Sequence, residues 1–285
     1  MLSVKEKFGD ERKTKIHKGN IDEISEEDLV PNEATFVTIS TQGYIKRLKT
    51  DTYKVQNRGG SGVKTMSTKD DDSVRHVFSC QTHDQILFFT NKGKVYSLKV
   101  YEIPEFQRTA KGTPIVNIIN ISQGELITSV LTRSESGNIL DEDIKQEGEQ
   151  ESEKQGKLYK FLFMTTKLGT VKKTLISEFE SIRSNGLIAL TLQDNDELIW
   201  VKPTTGEDEV MLVTQKAKSI RFKEEDVRET GRSSQGVRGI KLKPGDEVIS
   251  MDIVRNTENF LLTVSLTGFE KITELNEFGV LNRGG

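Results

Sequence analysis

A single cysteine, Cys80, in 285 residues rules out an internal disulfide framework and any cysteine-built zinc site, and it suits a reducing compartment. The three histidines, His17, His76 and His83, stand in separate segments without metal-ligand spacing, so no metal site is expected. No run approaches the roughly 18 apolar residues that a membrane helix needs. Met1 to Lys18 is charged where a signal peptide carries its apolar segment. These absences predict a cytoplasmic protein without membrane association. No phosphate-cradling Walker loop occurs either, and no nucleophile stands with a base, which leaves no cofactor and no catalytic residue to nominate. Asp70-Asp71-Asp72 reads as a solvated polar turn rather than a metal site.

Acidity is abundant but confined. Residues 20 to 33 and 134 to 156 each carry −6, and removing both from a net charge of −3 leaves the remainder at +9. The body of the chain is therefore basic, as a polyanion partner requires. The first acidic stretch reads as a linker; the second, rich in Glu, Gln, Ser and Gly, reads as a disordered insertion in one loop.

The remainder repeats. Turn signatures fall at Gly43, Gly93, Gly169, Ala217 and Gly268, at intervals of 50, 76, 48 and 51 residues, and the long interval contains the acidic insertion. Each turn follows a short apolar run: Phe36 to Ile39, Ile86 to Phe89, Leu162 to Met164, Val210 to Val213 and Leu261 to Val264. Such runs predict buried strands, paired into hairpins with Tyr44 to Leu48, Val95 to Val100, Thr170 to Leu175 and their equivalents. A second glycine frame, Gly62, Gly112, Gly186 and Gly236, precedes apolar segments read as strands, as in Ile115 to Ile118, Leu187 to Leu190, and Ile240 with Leu242. A fourth strand follows Glu125, Glu197 and Glu247. The prediction is an all-β, propeller-like disc of four-stranded blades with about 50 residues per repeat. A short helix near Lys5 to Lys13 is the one competing pattern. Residues 1–33 are expected to be a linker and 34–285 the disc. Asn282-Arg283-Gly284-Gly285 repeats Asn57-Arg58-Gly59-Gly60, so the native protein is expected to continue.

Two sets of cations recur. In the strand after each turn stand Lys46 and Arg47, Lys94, Lys172 and Lys173, Lys218 and Arg221, and Lys271, which predicts a basic outer rim meeting phosphates. Around the loop glycines stand Arg58, Lys64, Arg108, Lys111, Arg183, Arg232 and Arg238. Aromatic residues make up 7% of the chain, leaving few rings to stack on bases.

Gln56-Asn57-Arg58-Gly59-Gly60-Ser61-Gly62 resembles the GyrA-box heptad found in the A subunit of bacterial DNA gyrase, with Asn57 and Ser61 where basic residues are usual. Phe8 to Arg12 resembles that family's exit from its catalytic core, and Gly93 to Tyr101 and Gly206 to Met211 resemble its blades. The likeness covers the whole chain. It implies a β-pinwheel that wraps duplex DNA, largely without regard to sequence, so that gyrase introduces negative supercoils. It also implies contacts through Gln56, Arg58, Gly59, Gly60, Gly62 and Arg283. The implied partners are duplex DNA, the catalytic core of the gyrase A subunit in the same native chain, and the gyrase B subunit, in the cytoplasm at the nucleoid. The strand-cutting tyrosine and the ATPase would lie elsewhere, since none of Tyr44, Tyr53, Tyr96, Tyr101 and Tyr159 stands in the family's catalytic context. The related domain of topoisomerase IV and a propeller serving as a protein-interaction platform are the alternatives.

Overall fold

The computed structural model describes residues 26–52, 58, 62, 72–140, 159–256 and 258–285. Lys5 to Lys13, Gln56, Gly59, Gly60, Lys64 and positions 141–156 lie outside them. Two compact units divide the chain, Met1–Pro31 and Asn32–Gly285. Among the described residues the first holds a 3-10 turn, Glu26–Leu29, and the second holds every strand.

Strands are numbered β1 to β18 in chain order. The first sheet runs β3 (Val74–Gln81), β1 (Ala34–Ser40), β2 (Tyr44–Lys49), β6 (Thr113–Pro114). The second runs β11 (Leu187–Ile188), β5 (Lys94–Lys99), β4 (Gln85–Thr90), β7 (Ile127–Arg133), β8 (Ile139–Leu140). The third runs β12 (Leu198–Thr204), β9 (Phe161–Thr166), β10 (Thr170–Leu175), β15 (Val237–Arg238). The fourth is β14 (Ser219–Lys223), β13 (Glu209–Thr214), β16 (Val248–Val254), and the last is the hairpin β17 (Phe260–Val264) with β18 (Glu270–Glu274). All named pairings are antiparallel, and the register shifts by a bulge at the same place in four sheets, at Ile39, Phe89, Leu198 and Val213. Proline occurs only where the ladder spares its missing N–H: Pro203 and Pro114 both lie on edge strands.

Four strands per repeat were expected to form one blade, and here the structure differs. The short strand after each loop glycine pairs backwards, onto the hairpin of the preceding repeat: β6 on β2, β11 on β5, β15 on β10. It is only two residues long. Ile115 to Ile118, expected as a strand, turns instead into a 3-10 helix at Ile115–Asn117, which buries Ile115. Each blade is thus completed by chain from the next repeat.

The cores lie between blades. Ile86 and Phe88 of β4 pack with Val37, Ile39 and Phe78 of the first sheet, while Leu87 and Phe89 face the opposite way onto Leu162, Met164 and Phe179. Because both faces of β4 are covered, all four side chains are fully buried and the strand reads as an unbroken apolar run. Burial of each is worth about 1.5–3 kcal/mol. The turns require a left-handed residue: Gly43, Gly93, Gly169 and Gly268 supply it at φ +71° to +82°, and Ala217 adopts φ +58° despite its methyl group.

The acidic insertion begins later than expected. Ser134 to Leu140 forms a hairpin in which Ile139 is 5% exposed and joins the second core. Ile139 is a lone apolar residue two positions before a run of acids, so the average composition of the segment does not reveal it.

Candidate nucleic-acid interface

The strand cations turn inward. Lys46 is fully buried on β2, and its Nζ donates to the carbonyl oxygens of Arg108 (2.5 Å), Ala110 (2.9 Å) and Gln107 (3.4 Å). Lys172, equally buried on β10, donates to Arg232 O at 2.5 Å and Ala189 O at 2.8 Å. Burial, and then the nearby Arg108 charge, lowers the Lys46 ammonium; burial pushes Lys172 down to about 8. One position further on, Arg47 Nε donates to Ile103 O at 3.1 Å and Lys173 Nζ to Glu224 O at 3.2 Å. Arg221 meets the Glu209 carboxylate at 2.6 and 2.7 Å through Nη2 and Nε, and its Nη1 donates to Leu275 O and Phe278 O.

The expectation that this row forms a phosphate-binding rim is therefore corrected for Lys46, Arg47, Lys172, Lys173 and Arg221. Their strands are covered on both faces, so a long basic side chain has no outer face to occupy and ends on the carbonyls of neighbouring turns. Lys94 and Lys218 are half-buried, Lys218 Nζ donating to Lys241 O at 2.8 Å. Lys271, on the terminal hairpin, is exposed.

The loop cations point outward. Arg58, Arg183, Arg232 and Arg238 are exposed; Arg108, Lys111 and Arg283 are half-buried. Lys111 Nζ lies 3.6 Å from the centre of the Tyr44 ring. Arg283 is tethered, donating through Nη1 to Arg238 O at 2.7 Å and through Nε to Asp226 O at 3.2 Å. One regularity in the sequence sharpens this set: Arg58, Arg108, Arg183, Arg232 and Arg283 stand fourteen or fifteen residues past Gly43, Gly93, Gly169, Ala217 and Gly268. An arginine at one phase of the frame in all five repeats is the signal that would have ranked these loops above the strands.

The loops lie side by side. Asn120 Nδ2 donates to Ser184 O at 3.4 Å, beside Arg183, and Thr191 Oγ1 donates to Ser233 O at 2.7 Å, beside Arg232. The loops that carry Arg108, Arg183 and Arg232 also close tightly on the preceding repeat. A Cβ built on Gly112 would fall 2.5 Å from Ile45 O, and one on Gly236 2.6 Å from Val171 O, so only glycine lets the loop backbone approach that strand. The chain just past the loop glycines of the second and third repeats is thus hydrogen-bonded to the loops that carry Arg183 and Arg232, a geometry suited to setting arginines before a row of phosphates. Of the heptad, Arg58 and Gly62 are described, Gly62 at φ +70°.

The family model described as "DNA gyrase C-terminal domain, beta-propeller" matches residues 34–81, 84–133, 160–205 and 208–255, four successive repeats. The chain belongs to that family. It is 40% identical over 286 aligned residues to the DNA gyrase A subunits of Staphylococcus aureus and of Staphylococcus epidermidis; each alignment covers all of this chain and 30% of the relative's length. Among solved structures, the C-terminal domain of a DNA topoisomerase IV superposes with a TM-score of 0.69, covering 90% of this chain and 72% of the other. A DNA gyrase A C-terminal domain does so with 0.61, covering 88% and 75%. Both are 27% identical, so structural likeness does not separate gyrase from topoisomerase IV, and the family model and the 40% relatives do. As a gyrase C-terminal domain, the chain corresponds to a region of the A subunit outside its catalytic core. Among the described residues, no helix is long and apolar enough to cross a membrane.

Proposed function

We propose that this domain holds duplex DNA along the edge formed by its arginine loops, with Arg58, Arg108, Arg183, Arg232 and Arg238 as the principal phosphate contacts. Carried in the same chain as the catalytic core of the gyrase A subunit and working with the B subunit in the cytoplasm at the nucleoid, it bends DNA for negative supercoiling. Strand cutting and ATP hydrolysis belong to other parts of that enzyme. Lys94, Lys111, Lys218, Lys271 and Arg283 contribute to the field around the edge; the heptad glycines and Lys64 belong to the same reading. One observation carries it: an arginine recurs at one phase of every repeat, and the loops bearing Arg183 and Arg232 are hydrogen-bonded to the chain of the repeat before. Base reading plays little part, because the edge offers guanidinium and backbone groups rather than rings or paired amides.

The double variant Arg183→Ala/Arg232→Ala tests it. Each lost phosphate contact lowers the slope of log affinity against log salt by about one unit, so the pair lowers it by about two while the melting temperature stays put. In parallel, the linking-number change that the domain imposes on relaxed plasmid should shrink. Unaltered salt dependence in the folded double variant, or strong preference for one short sequence in the parent, overturns the proposal.

A further inference from the structure

The buried lysines have a role that the phosphate-binding edge alone does not explain. Lys46 comes from the first repeat, yet the carbonyls that hold its Nζ, those of Gln107, Arg108 and Ala110, belong to the loop of the second. Lys172 comes from the third repeat and reaches Arg232 O in the loop of the fourth. In both cases the ammonium binds the backbone of the loop arginine, Arg108 or Arg232, and at Lys46 that of its neighbours as well. An ammonium has three donors, and at Lys46 three carbonyls converge on it. Such charge-assisted bonds are shorter and stronger than those between neutral groups.

The repeats that lack the lysine form an internal contrast. Three residues past the turn stand Lys46, Tyr96, Lys172, Ile220 and, exposed on the last hairpin, Lys271. The loops held by lysine run nineteen residues from turn to glycine, Gly93 to Gly112 and Ala217 to Gly236; the loop that follows Tyr96 runs seventeen, Gly169 to Gly186. There the loop packs on the ring directly, since a Cβ on Gly186 would fall 2.7 Å from Tyr96 Cε1, and the Tyr96 hydroxyl turns away to Glu125 Oε2 at 3.1 Å. The buried lysines occur where the loop that follows is longer and leaves carbonyls facing the strand.

We propose that Lys46 and Lys172 are positioning residues for DNA binding: each ammonium fixes the arginine loop of the following repeat, presenting Arg108 and Arg232 already ordered to the phosphates. This rests on the reading of the loop arginines as phosphate contacts. Ordering the loop before DNA arrives removes an entropic cost from binding.

The test compares, in the whole chain, Lys46→Met/Lys172→Met, Arg108→Ala/Arg232→Ala and the fourfold combination. Readouts are DNA affinity over a salt series and amide hydrogen exchange. The methionine pair should bind about tenfold more weakly, a loss on the scale of two phosphate contacts. Amide exchange should quicken in residues 107–112 and 231–236 while β1, β4 and β9 stay protected. The fourfold variant should bind no more weakly than the arginine pair, because lysine and arginine act through one loop. Multiplication of the two losses, or parent-like affinity in the methionine pair, overturns the proposal. If the arginine pair alone leaves DNA binding untouched, the reading of those arginines fails and the positioning role falls with it. If the methionine pair does not melt cooperatively, Lys46→Gln and Lys172→Gln, each retaining a donor, are put through the same comparison, and the same outcomes support or overturn the proposal.

Discussion

Lys172 and Arg232 share a hydrogen bond and occupy opposite environments. The lysine is fully buried on a strand covered from both sides, and the arginine is exposed on a loop at the edge. Both recur at fixed phases of the repeat and both carry one positive charge, so recurrence of charge identifies a structural position without saying which way it faces. Lys46, Lys172 and Arg221 reach into the following repeat, whereas Arg58, Arg183, Arg232 and Arg238 face solvent. The difference comes from architecture: a strand between two cores offers a charge only backbone carbonyls and buried carboxylates, and a loop offers it water.

The largest expected break of this contrast is at Arg221, the strand cation with the most complete set of partners. Its guanidinium is 5% exposed and satisfies Glu209 and two carbonyls of the last repeat. Arg221→Ala leaves the Glu209 carboxylate half-buried and two carbonyls without their donor, and removing one partner of a buried pair costs about 3–5 kcal/mol. Arg183→Ala, an exposed loop change, should stay within about 0.5 kcal/mol. Chemical denaturation of the two variants checks this, and comparable stability would show that the two rows are not energetically distinct.

A smaller effect separates two ways of shortening the acidic insertion. Removing 141–156 should leave the melting transition near that of the parent, because loop-closure cost varies only logarithmically with length. Removing 134–156 also deletes Ile139, which packs with Leu87 and Leu162 in the second core. That cut should cost about 2–5 kcal/mol, the scale of truncating a buried isoleucine. Equal melting temperatures for the two deletions would mean that the Ser134 to Leu140 hairpin contributes nothing.

Much of the fold was legible from spacing. The turn residues, the five apolar runs and the strands after Glu125, Glu197 and Glu247 fall where the sequence places them, because hairpins are local and their turns need particular backbone angles; Leu261 to Val264, expected to be buried, is instead largely exposed on the last hairpin. Two features were not legible. The backward pairing of β6, β11 and β15 joins residues tens of positions apart through two-residue strands, too short to carry a period. The inward turn of Lys46 and Lys172 was hidden for a related reason. In Tyr44–Lys49 the adjacent residues Ile45 and Lys46 are both buried, so the polar and apolar alternation that marks an exposed face has no meaning there. Of the candidate site, one periodicity singled out both rows of cations; which of them are exposed depends on the strands and loops around them, which spacing does not show.

The finest test of the contrast uses pH, because a buried lysine couples its proton to folding. In the folded protein the Lys172 ammonium loses its proton at about 8, against 10.5 for an unperturbed lysine, with burial as the leading cause. The unfolded chain therefore holds that proton more tightly, and between those two values unfolding takes a proton up. Stability follows the difference in bound protons, so in this window a rise in pH favours the folded state; below about 8 both states are charged and the contribution is flat. The slope is at most about 1.4 kcal/mol per pH unit, and less near the ends of the window. Lys172→Met removes the group, and subtracting its stability from that of the parent cancels every other titration that the two share. The parent should gain on the variant between pH 8 and 10 and run parallel to it from pH 6.5 to 7.5. Arg232→Ala, which alters the exposed partner of the same hydrogen bond, should run parallel to the parent throughout. A parent-to-methionine difference that stays constant to pH 10 would mean that Lys172 keeps its proton in the folded state and that its carbonyl cage stabilises the charge far better than burial opposes it.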